Sequence, residues 1–406
     1  MNYREALRWL FATQRFGIKL GLENTRRLFA ALEVPSPDAR IIHVAGTNGK
    51  GSVCAMLDSI YRAAGYRTAL FTSPHLVTFR ERIQVDGSMI PEEAVGRGLT
   101  NIRQLVAEWE PHPTFFEITT ALALAYFQDQ EADLTILETG MGGRLDSTNA
   151  TQPIVSVLTP IDYDHQKWLG HTLAEIAGEK AGIIKANVPV VSAAQPDEAA
   201  RVIRQRAAEC AAELMFVRHS FERFPIALLG SHQKQNAALA VAALEAAKLT
   251  VDDSAIARGL SDVRWAGRFQ YWDERTIIDG AHNPAGARSL ADTWQETFGP
   301  KRATVIFATL SDKDVAGLCG ALAPITRRFF LPLIRSERAI RPDELRLTIE
   351  GRLPEIPSLT FPTFAEAWER TRQDNGAILI TGSLHFAGEV LAYLRNEPAA
   401  FEECLQ

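Results

Sequence analysis

The run Ile41-Ile42-His43-Val44-Ala45 leads straight into Gly46-Thr47-Asn48-Gly49-Lys50-Gly51-Ser52 and then into the helical pattern of Val53 to Ala64. A short apolar strand, a glycine-rich turn and a helix in that order make a βα unit. Such units build parallel sheets with helices on both faces. The same alternation recurs. Arg40 to Ala45, Arg67 to Thr72, Leu134 to Glu138, Ile154 to Leu158 and Val188 to Val191 have the composition of buried strands. Gly51 to Ala64, Pro91 to Trp109, Phe116 to Phe127 and Pro196 to Cys210 carry helical spacing between them.

A second series follows the polar, aromatic stretch Val263 to Arg275. Strands are expected at Thr276 to Ile278, Thr304 to Ala308, Phe329 to Leu333 and Ala377 to Thr381, with helices at Pro284 to Phe298, Pro342 to Ile349 and Phe364 to Arg372. The fold class is therefore α/β: a mostly parallel, P-loop-type domain over residues 1–270, then a smaller Rossmann-like α/β domain over 271–406. A chain of 406 residues, 46% hydrophobic, is long enough for two cores.

The net charge of -6 and the lack of any Lys/Arg-dense run leave no basic face for a nucleic-acid backbone, so a small-molecule substrate is expected. Cys54, Cys210, Cys319 and Cys404 stand far apart, without metal or redox spacing. Met1 to Phe11 reads as an amphipathic helix rather than a secretory signal, and no apolar run reaches the ~18 residues of a membrane span. A cytoplasmic enzyme is the expectation.

Glycines at a strand-to-helix turn let backbone N–H groups face one centre. The helix N-terminus adds positive potential, Lys50 a mobile cation and Ser52 a hydroxyl for Mg²⁺. The spacing departs from G-x-x-x-x-G-K-[ST]: residue 44 is Val, and Gly51 separates Lys50 from Ser52. Taken alone, this is a nucleotide loop or an ordinary glycine-rich turn.

With His43 to Val53 in hand, the chain resembles the folylpolyglutamate synthase and dihydrofolate synthase family, relatives of the Mur ligases. Further matches run nearly the whole length: Gly17 to Asn24, Ser73-Pro74-His75-Leu76, Glu81-Arg82-Ile83, Phe116-Glu117, Leu137-Glu138, Gly142 to Asp146, Thr148-Asn149 and Asp164-His165. They continue through Leu169-Gly170, Glu179 to Ile183, His232-Gln233, Asn236, Gly267-Arg268, Asp279 to Pro284, Asp312-Lys313-Asp314 and Gly382-Ser383-Leu384. Thr139 and Met141 replace more usual aliphatic residues, and Tyr163 precedes Asp164.

The resemblance implies an ATP-dependent carbon–nitrogen ligase that joins L-glutamate to dihydropteroate, to folates, or to both, through an acyl phosphate. It implies ATP contacts at Gly46, Thr47, Asn48, Gly49, Lys50, Gly51, Ser52, Asn236, Arg268, Asp279 and His282, with Lys180, Arg268 and His282 as catalytic groups. Ser52, Ser73, Glu138, His165 and Lys180 are the implied metal ligands. An oxygen-rich set with one imidazole suits Mg²⁺, as two ions, or Mn²⁺ better than zinc. In many family members the lysine at position 180 is carbamylated, which turns a cation into an anionic ligand. Without the family, Glu138 is a loop cap, His165 a core histidine and Lys180 a solvated ammonium or an ion pair with Glu175 or Glu179.

The second substrate is less legible. Phe115, Phe116 and Glu117 offer a stacking surface and a carboxylate for a pterin ring, Arg82 or Arg80 a partner for glutamyl carboxylates, and Asp146 a further polar group. Adjacent aromatics before a helix suit a core equally well. The alternative is a Mur-type ligase acting on a UDP-linked muramoyl substrate. Mur ligases resemble G-K-T-[ST] at the loop and usually begin with a separate UDP-binding domain, whereas about 40 residues precede the phosphate strand here. The family's members are usually monomers.

Overall fold

The structure, a computed structural model, describes residues 1–16, 21–373 and 375–402. Gly17 to Leu20 of the matched motif and Cys404 lie outside them. The first sheet has eight strands in the order β4-β3-β2-β5-β1-β6-β7-β8: β1 Ile41–Ala45, β2 Thr68–Phe71, β3 Ile83–Val85, β4 Ser88–Met89, β5 Leu134–Glu138, β6 Val155–Leu158, β7 Val190–Ala193 and β8 Leu214–Val217. β1 pairs in parallel with β5 and β6, and β5 in turn with β2. Every residue of β1, β2, β5, β6 and β7 is buried, because helices cover both faces. Their mostly apolar character follows from that double cover.

The second sheet has six strands in the order β13-β12-β11-β14-β10-β9: β9 Gln270–Asp273, β10 Thr276–Ile278, β11 Ala303–Phe307, β12 Thr326–Pro332, β13 Ser358–Phe361 and β14 Ile378–Thr381. All its pairings are parallel except β9 with β10. The α/β plan expected from the alternating runs is the one observed.

The differences lie at one end of the first sheet, where β3 and β4 are additional to the expected strands, at the other sheet edges, and in helices that the alternating pattern does not assign: Glu23–Leu32, Ser231–Ala247, Asp253–Asp262, Val315–Leu322 and Leu384–Leu394. The stretch Val263 to Arg275, expected as polar linker, contains strand β9, whose alternating half-buried and exposed residues give no apolar run. The edge strand β13 is hidden for the same reason, whereas β8, Leu214 to Val217, is an apolar run left half-open at the first sheet's edge. Helix Ser231–Ala247 is alanine-rich and largely buried, so it lacks a polar face and its period is blurred. It packs with helix Asp253–Asp262 against the phosphate-loop helix Lys50–Ala63.

One close approach fixes that packing. A Cβ on Gly259 would come to 2.4 Å from Ile60 Cα, and Ser59 Oγ donates to Gly259 O at 2.7 Å. Gly259→Ala is expected to lower stability by about 1–3 kcal/mol, as overpacking does. Chemical denaturation measures it, and the KM for ATP should stay near wild type because the contact is remote from the loop.

Candidate active site

Since β1, β2, β5 and β6 are parallel, the residues that follow them collect at one edge of the sheet, where open α/β sheets bind ligands. That edge opens into a cleft of about 1070 Å³ walled by both sheets' loops. Every sequence-nominated site residue borders it except Arg82, and Arg80 is also outside.

The glycine loop is shaped by close contacts. Gly46 has φ +149°, and a Cβ there would come to 1.8 Å from Thr159 Oγ1; Gly49 has φ +89° and faces Asn236 Oδ1 at 2.6 Å. Only glycine fits either place. The amides of Thr47 and Asn48 donate to Pro160 O at 3.0 and 3.3 Å. An incoming anion therefore meets the amides of Lys50, Gly51 and Ser52, which open the helix and have no acceptor within it.

Two lysines converge beneath this loop. Lys180 Nζ donates to Gly46 O at 2.8 Å, and Lys50 Nζ to Gly46 O and Thr47 O, both at 3.3 Å. Neither makes an ion pair among the described residues. Burial first, and then the neighbouring Lys50 charge, lower the Lys180 pKa to about 7. The Lys50 ammonium, with the part-protonated Lys180 amine on the same carbonyl and no carboxylate partner among the described residues, forms an electrostatic demand for an anion.

Glu138, at the end of β5, is buried; its Oε2 accepts the Ser73 amide at 3.0 Å, and its other oxygen accepts no hydrogen bond among the described residues. Burial raises its pKa, with Lys50 and the Ser73 amide pulling the other way. Ser73 Oγ is buried without a partner among the described residues. No three His, Cys, Asp or Glu side chains converge as a metal cluster among the described residues. A cation here would draw on one carboxylate, hydroxyls and phosphate oxygens, which is the preference of Mg²⁺ or Mn²⁺. Ser52 is buried at the helix start, where Gln233 Nε2 donates to its hydroxyl at 3.3 Å.

The second sheet closes the cleft through a polar seam that sequence reasoning did not foresee. Asn48 and Asn283 exchange amide hydrogen bonds at 3.2 and 3.0 Å. Asn283 also caps helix Pro284–Phe298 through the Gly286 amide at 2.8 Å. Asp164 accepts from Lys313 Nζ at 3.0 Å and Asn283 Nδ2 at 3.2 Å, and lies 3.4 Å from His282 Nε2. Burial would raise the Asp164 pKa, but His282, His165 and Lys313 together hold it well below the usual range. His165 has a left-handed backbone, φ 50°, and 42% of its side chain is open to the cleft. Desolvation by the cleft walls leads in lowering its pKa to about 4; Asp164 opposes the shift, and Lys313 and Lys50 reinforce it.

Asp279 is engaged on backbone: its oxygens accept from Phe269 N at 2.7 Å and Ala281 N at 2.8 Å. It ties the linker to the β10 turn, beside Arg268, whose Nη1 donates to Gly267 O at 3.1 Å. Asn236 Nδ2 donates to Gln233 Oε1 at 3.0 Å.

Several nominated substrate residues have structural partners. Glu117 closes a capping box on the Thr114 amide at 2.7 Å and accepts from Thr25 Oγ1 at 3.3 Å. Asp146 accepts from Thr148 N and Oγ1, Gly140 N and Met141 N, which saturates its oxygens. Phe115 is buried, stacked 5.5 Å from Phe11, whereas Phe116 is half-buried and lies against Gly140. Arg82 is fully buried and donates from Nε to His75 Nδ1 at 2.8 Å. The irregular Gly51 also finds its reason: a Cβ there would stand 2.8 Å from Trp265 Nε1, so the glycine admits the indole that leads into the Gly267-Arg268 linker.

Residues 44–194 match the Mur ligase middle domain, and residues 267–384 the Mur ligase glutamate ligase domain. The dihydrofolate synthase/folylpolyglutamate synthase of Bacillus subtilis is 35% identical over 97% of this chain and 99% of its own. The solved structure of Escherichia coli FolC in complex with DHPP and ADP has a TM-score of 0.87 at 32% identity, covering 96% of this chain and 98% of the other. The bifunctional folylpolyglutamate synthase/dihydrofolate synthase of Yersinia pestis, complexed with AMPPNP and Mn ion, has a TM-score of 0.87 at 30% identity, over 97% and 98% of the two chains. No helix among the described residues is long and apolar enough to cross a membrane.

Proposed function

Because the chain belongs to the folylpolyglutamate synthase/dihydrofolate synthase family of Mur-type, ATP-dependent ligases, we propose that it joins the amine of L-glutamate to a carboxylate of dihydropteroate, of a folate, or of both. The observation that carries this is Lys50, whose ammonium rests on Gly46 O and Thr47 O under a glycine loop without a carboxylate partner among the described residues. That is a place built for a polyphosphate. Residues 1–270 form the nucleotide-binding part in this reading and residues 271–406 the glutamate-ligase part.

A carboxylate resists attack by an amine until one of its oxygens is phosphorylated. The acceptor carboxylate takes the γ-phosphoryl group and ADP departs. The glutamate amine then attacks the acyl carbon, and phosphate leaves from the tetrahedral intermediate. The protein holds two anions together and neutralises charge as it develops. The amides of residues 50 to 52 and the Lys50 ammonium hold the phosphates; Asn236, Arg268, Asp279 and His282 border the nucleotide from the second side. Ser52, Ser73, Glu138 and His165 would hold a divalent cation, which supplies charge neutralisation at the transferring phosphoryl group. The Asn48–Asn283 seam keeps water out while transfer occurs. Phe116, with its half-buried ring, is the better of the two aromatics to meet a pterin.

In the same reading Lys180 becomes a carbamate. A buried amine whose pKa is lowered to about 7 is substantially neutral at physiological pH and therefore nucleophilic toward CO₂. Mass measurement of the intact folded protein in bicarbonate buffer should show the added CO₂, and CO₂-depleted buffer should lower activity. An unmodified Lys180 with full activity excludes the carbamate.

The acceptor is identified by phosphate release. ATP alone should release little. Dihydropteroate plus glutamate, or tetrahydrofolate plus glutamate, should raise release by at least tenfold, because the acyl phosphate forms only on a bound carboxylate. Equal release in all three mixtures would leave a nucleotide hydrolase instead.

A further inference from the structure

We propose that Glu402 is a positioning residue for Ser73: it clamps the Ser73–Arg82 loop of the first domain onto the second. The inference rests on the reading of Ser73 as a ligand of the divalent cation.

The loop leaves the first sheet after β2, yet Leu76 and Val77 are buried in the second domain's apolar cluster with Ile278, Phe386 and Val390. Leu76 O approaches Gly388 so closely that a Cβ there would come to 1.9 Å. Two carboxylates then fix the loop's backbone. Glu81 does so from within, accepting the amides of Leu76, Val77 and Thr78 at 2.7, 3.0 and 3.1 Å. It belongs to the loop and moves with it.

Glu402 does so from outside. Its Oε2 accepts from Phe79 N at 2.6 Å, Tyr3 Oη at 3.0 Å and Thr78 Oγ1 at 3.1 Å, and its amide donates to Val77 O at 2.8 Å. Because Arg82 Nε donates to His75 Nδ1 at 2.8 Å, the ring proton of neutral His75 sits on Nε2 and is donated to Glu402 O at 2.9 Å. The preceding Phe401 is held in the second domain, its ring 5.1 Å from that of His385 and 5.0 Å from the Arg335 guanidinium.

At the other end of the loop, Ser73 Oγ has no partner among the described residues, and within them only the Ser73 amide, on Glu138 at 3.0 Å, ties the residue to β5. Its hydroxyl therefore stands where the loop backbone puts it. Groups hydrogen-bonded to a metal ligand typically govern metal affinity by 10- to 100-fold, and Glu402, acting one step further out through the loop backbone on Val77, Thr78 and Phe79, belongs at the low end of that range.

The test compares Glu402→Ala, Glu402→Gln and Ser73→Ala by Mn²⁺ titration in the presence of a non-hydrolysable ATP analogue, read by electron paramagnetic resonance. Hydrogen exchange over residues 73–82 is followed alongside. Glu402→Ala should speed exchange at the amides of residues 76–79 and weaken Mn²⁺ binding about tenfold, with metal-free nucleotide binding unchanged. Glu402→Gln, which keeps an acceptor for Phe79 N, should stay close to wild type. Should Glu402→Ala not fold, Glu402→Asp, too short to reach Phe79 N, carries the same comparison. The clamp alone is overturned if Ser73→Ala weakens Mn²⁺ while the Glu402 variant binds it like wild type. Wild-type Mn²⁺ binding by Ser73→Ala overturns both readings, since the clamp then has no ligand to position.

Discussion

The Lys50→Met variant should lose about 10³-fold in kcat/KM for ATP, the scale set by removing a preorganised charge from a transferring phosphoryl group. It should nevertheless unfold at the same denaturant concentration as wild type, or slightly higher. Among the described residues the ammonium makes two hydrogen bonds, both at 3.3 Å to carbonyls of its own loop, and shares one of these carbonyls with Lys180. Before the nucleotide arrives, these like charges repel. Methionine fills the same volume and removes that repulsion. A second consequence separates this account from a purely structural one. Lys50 is, after burial, the largest influence lowering the Lys180 pKa to about 7. With Met at position 50 the Lys180 pKa should rise, less neutral amine should be present at pH 7, and carbamate formation from ¹³C-bicarbonate should begin at higher pH than in wild type. A carbon NMR titration from pH 6 to 9 measures the onset. An unchanged onset, or a variant within tenfold of wild-type activity, would sink the assignment.

What could be read from the chain follows the distribution of burial. The strands β1, β2, β5, β6 and β7 have every residue buried, so their composition announces them, and with them the edge of the sheet where the loop and Glu138 stand. Strands β9 and β13 lie at sheet edges with mixed exposure and leave no such mark, and β8, apolar but only four residues long and half-open, stands at an edge as well. Within the cleft, glycines and lysines were legible because their local pattern is their function. The seam of Asn48, Asn283, Asp164 and Lys313 joins residues separated by up to 235 positions, a pairing no local spacing encodes. Glu117, Asp146 and Arg82 show the converse limit. A carboxylate or guanidinium beside a matched motif looks available in sequence, yet these are engaged on Thr114, on four donors around residues 140–148, and on His75. Gly51 is intermediate: its odd spacing was visible, but the reason, the Trp265 indole against its Cα, came from 214 residues away and required the fold.

Glu138→Gln is expected to separate stability from function most sharply. Glutamine has nearly the same shape and keeps a carbonyl oxygen for the Ser73 amide, which Glu138 accepts at 3.0 Å. The local hydrogen bond therefore survives. The charge does not, and its removal should help the empty protein, because burial disfavours the ionised carboxylate and raises its pKa. Replacing a poorly compensated buried ion by a neutral isostere is commonly neutral or stabilising. The thermal midpoint of Glu138→Gln, measured without nucleotide, should equal or exceed that of wild type. Catalysis should fall by about 10²- to 10³-fold, since an amide oxygen cannot neutralise a divalent cation as a carboxylate does. Mn²⁺ binding should weaken in parallel, and raising the metal concentration should recover part of the loss. If the variant were less stable and fully active, Glu138 would be a structural cap whose charge the reaction does not need. If it were less stable and inactive, folding rather than metal binding would explain the loss. Only the combination of retained stability, weakened Mn²⁺ binding and lost turnover assigns the buried carboxylate to the cation.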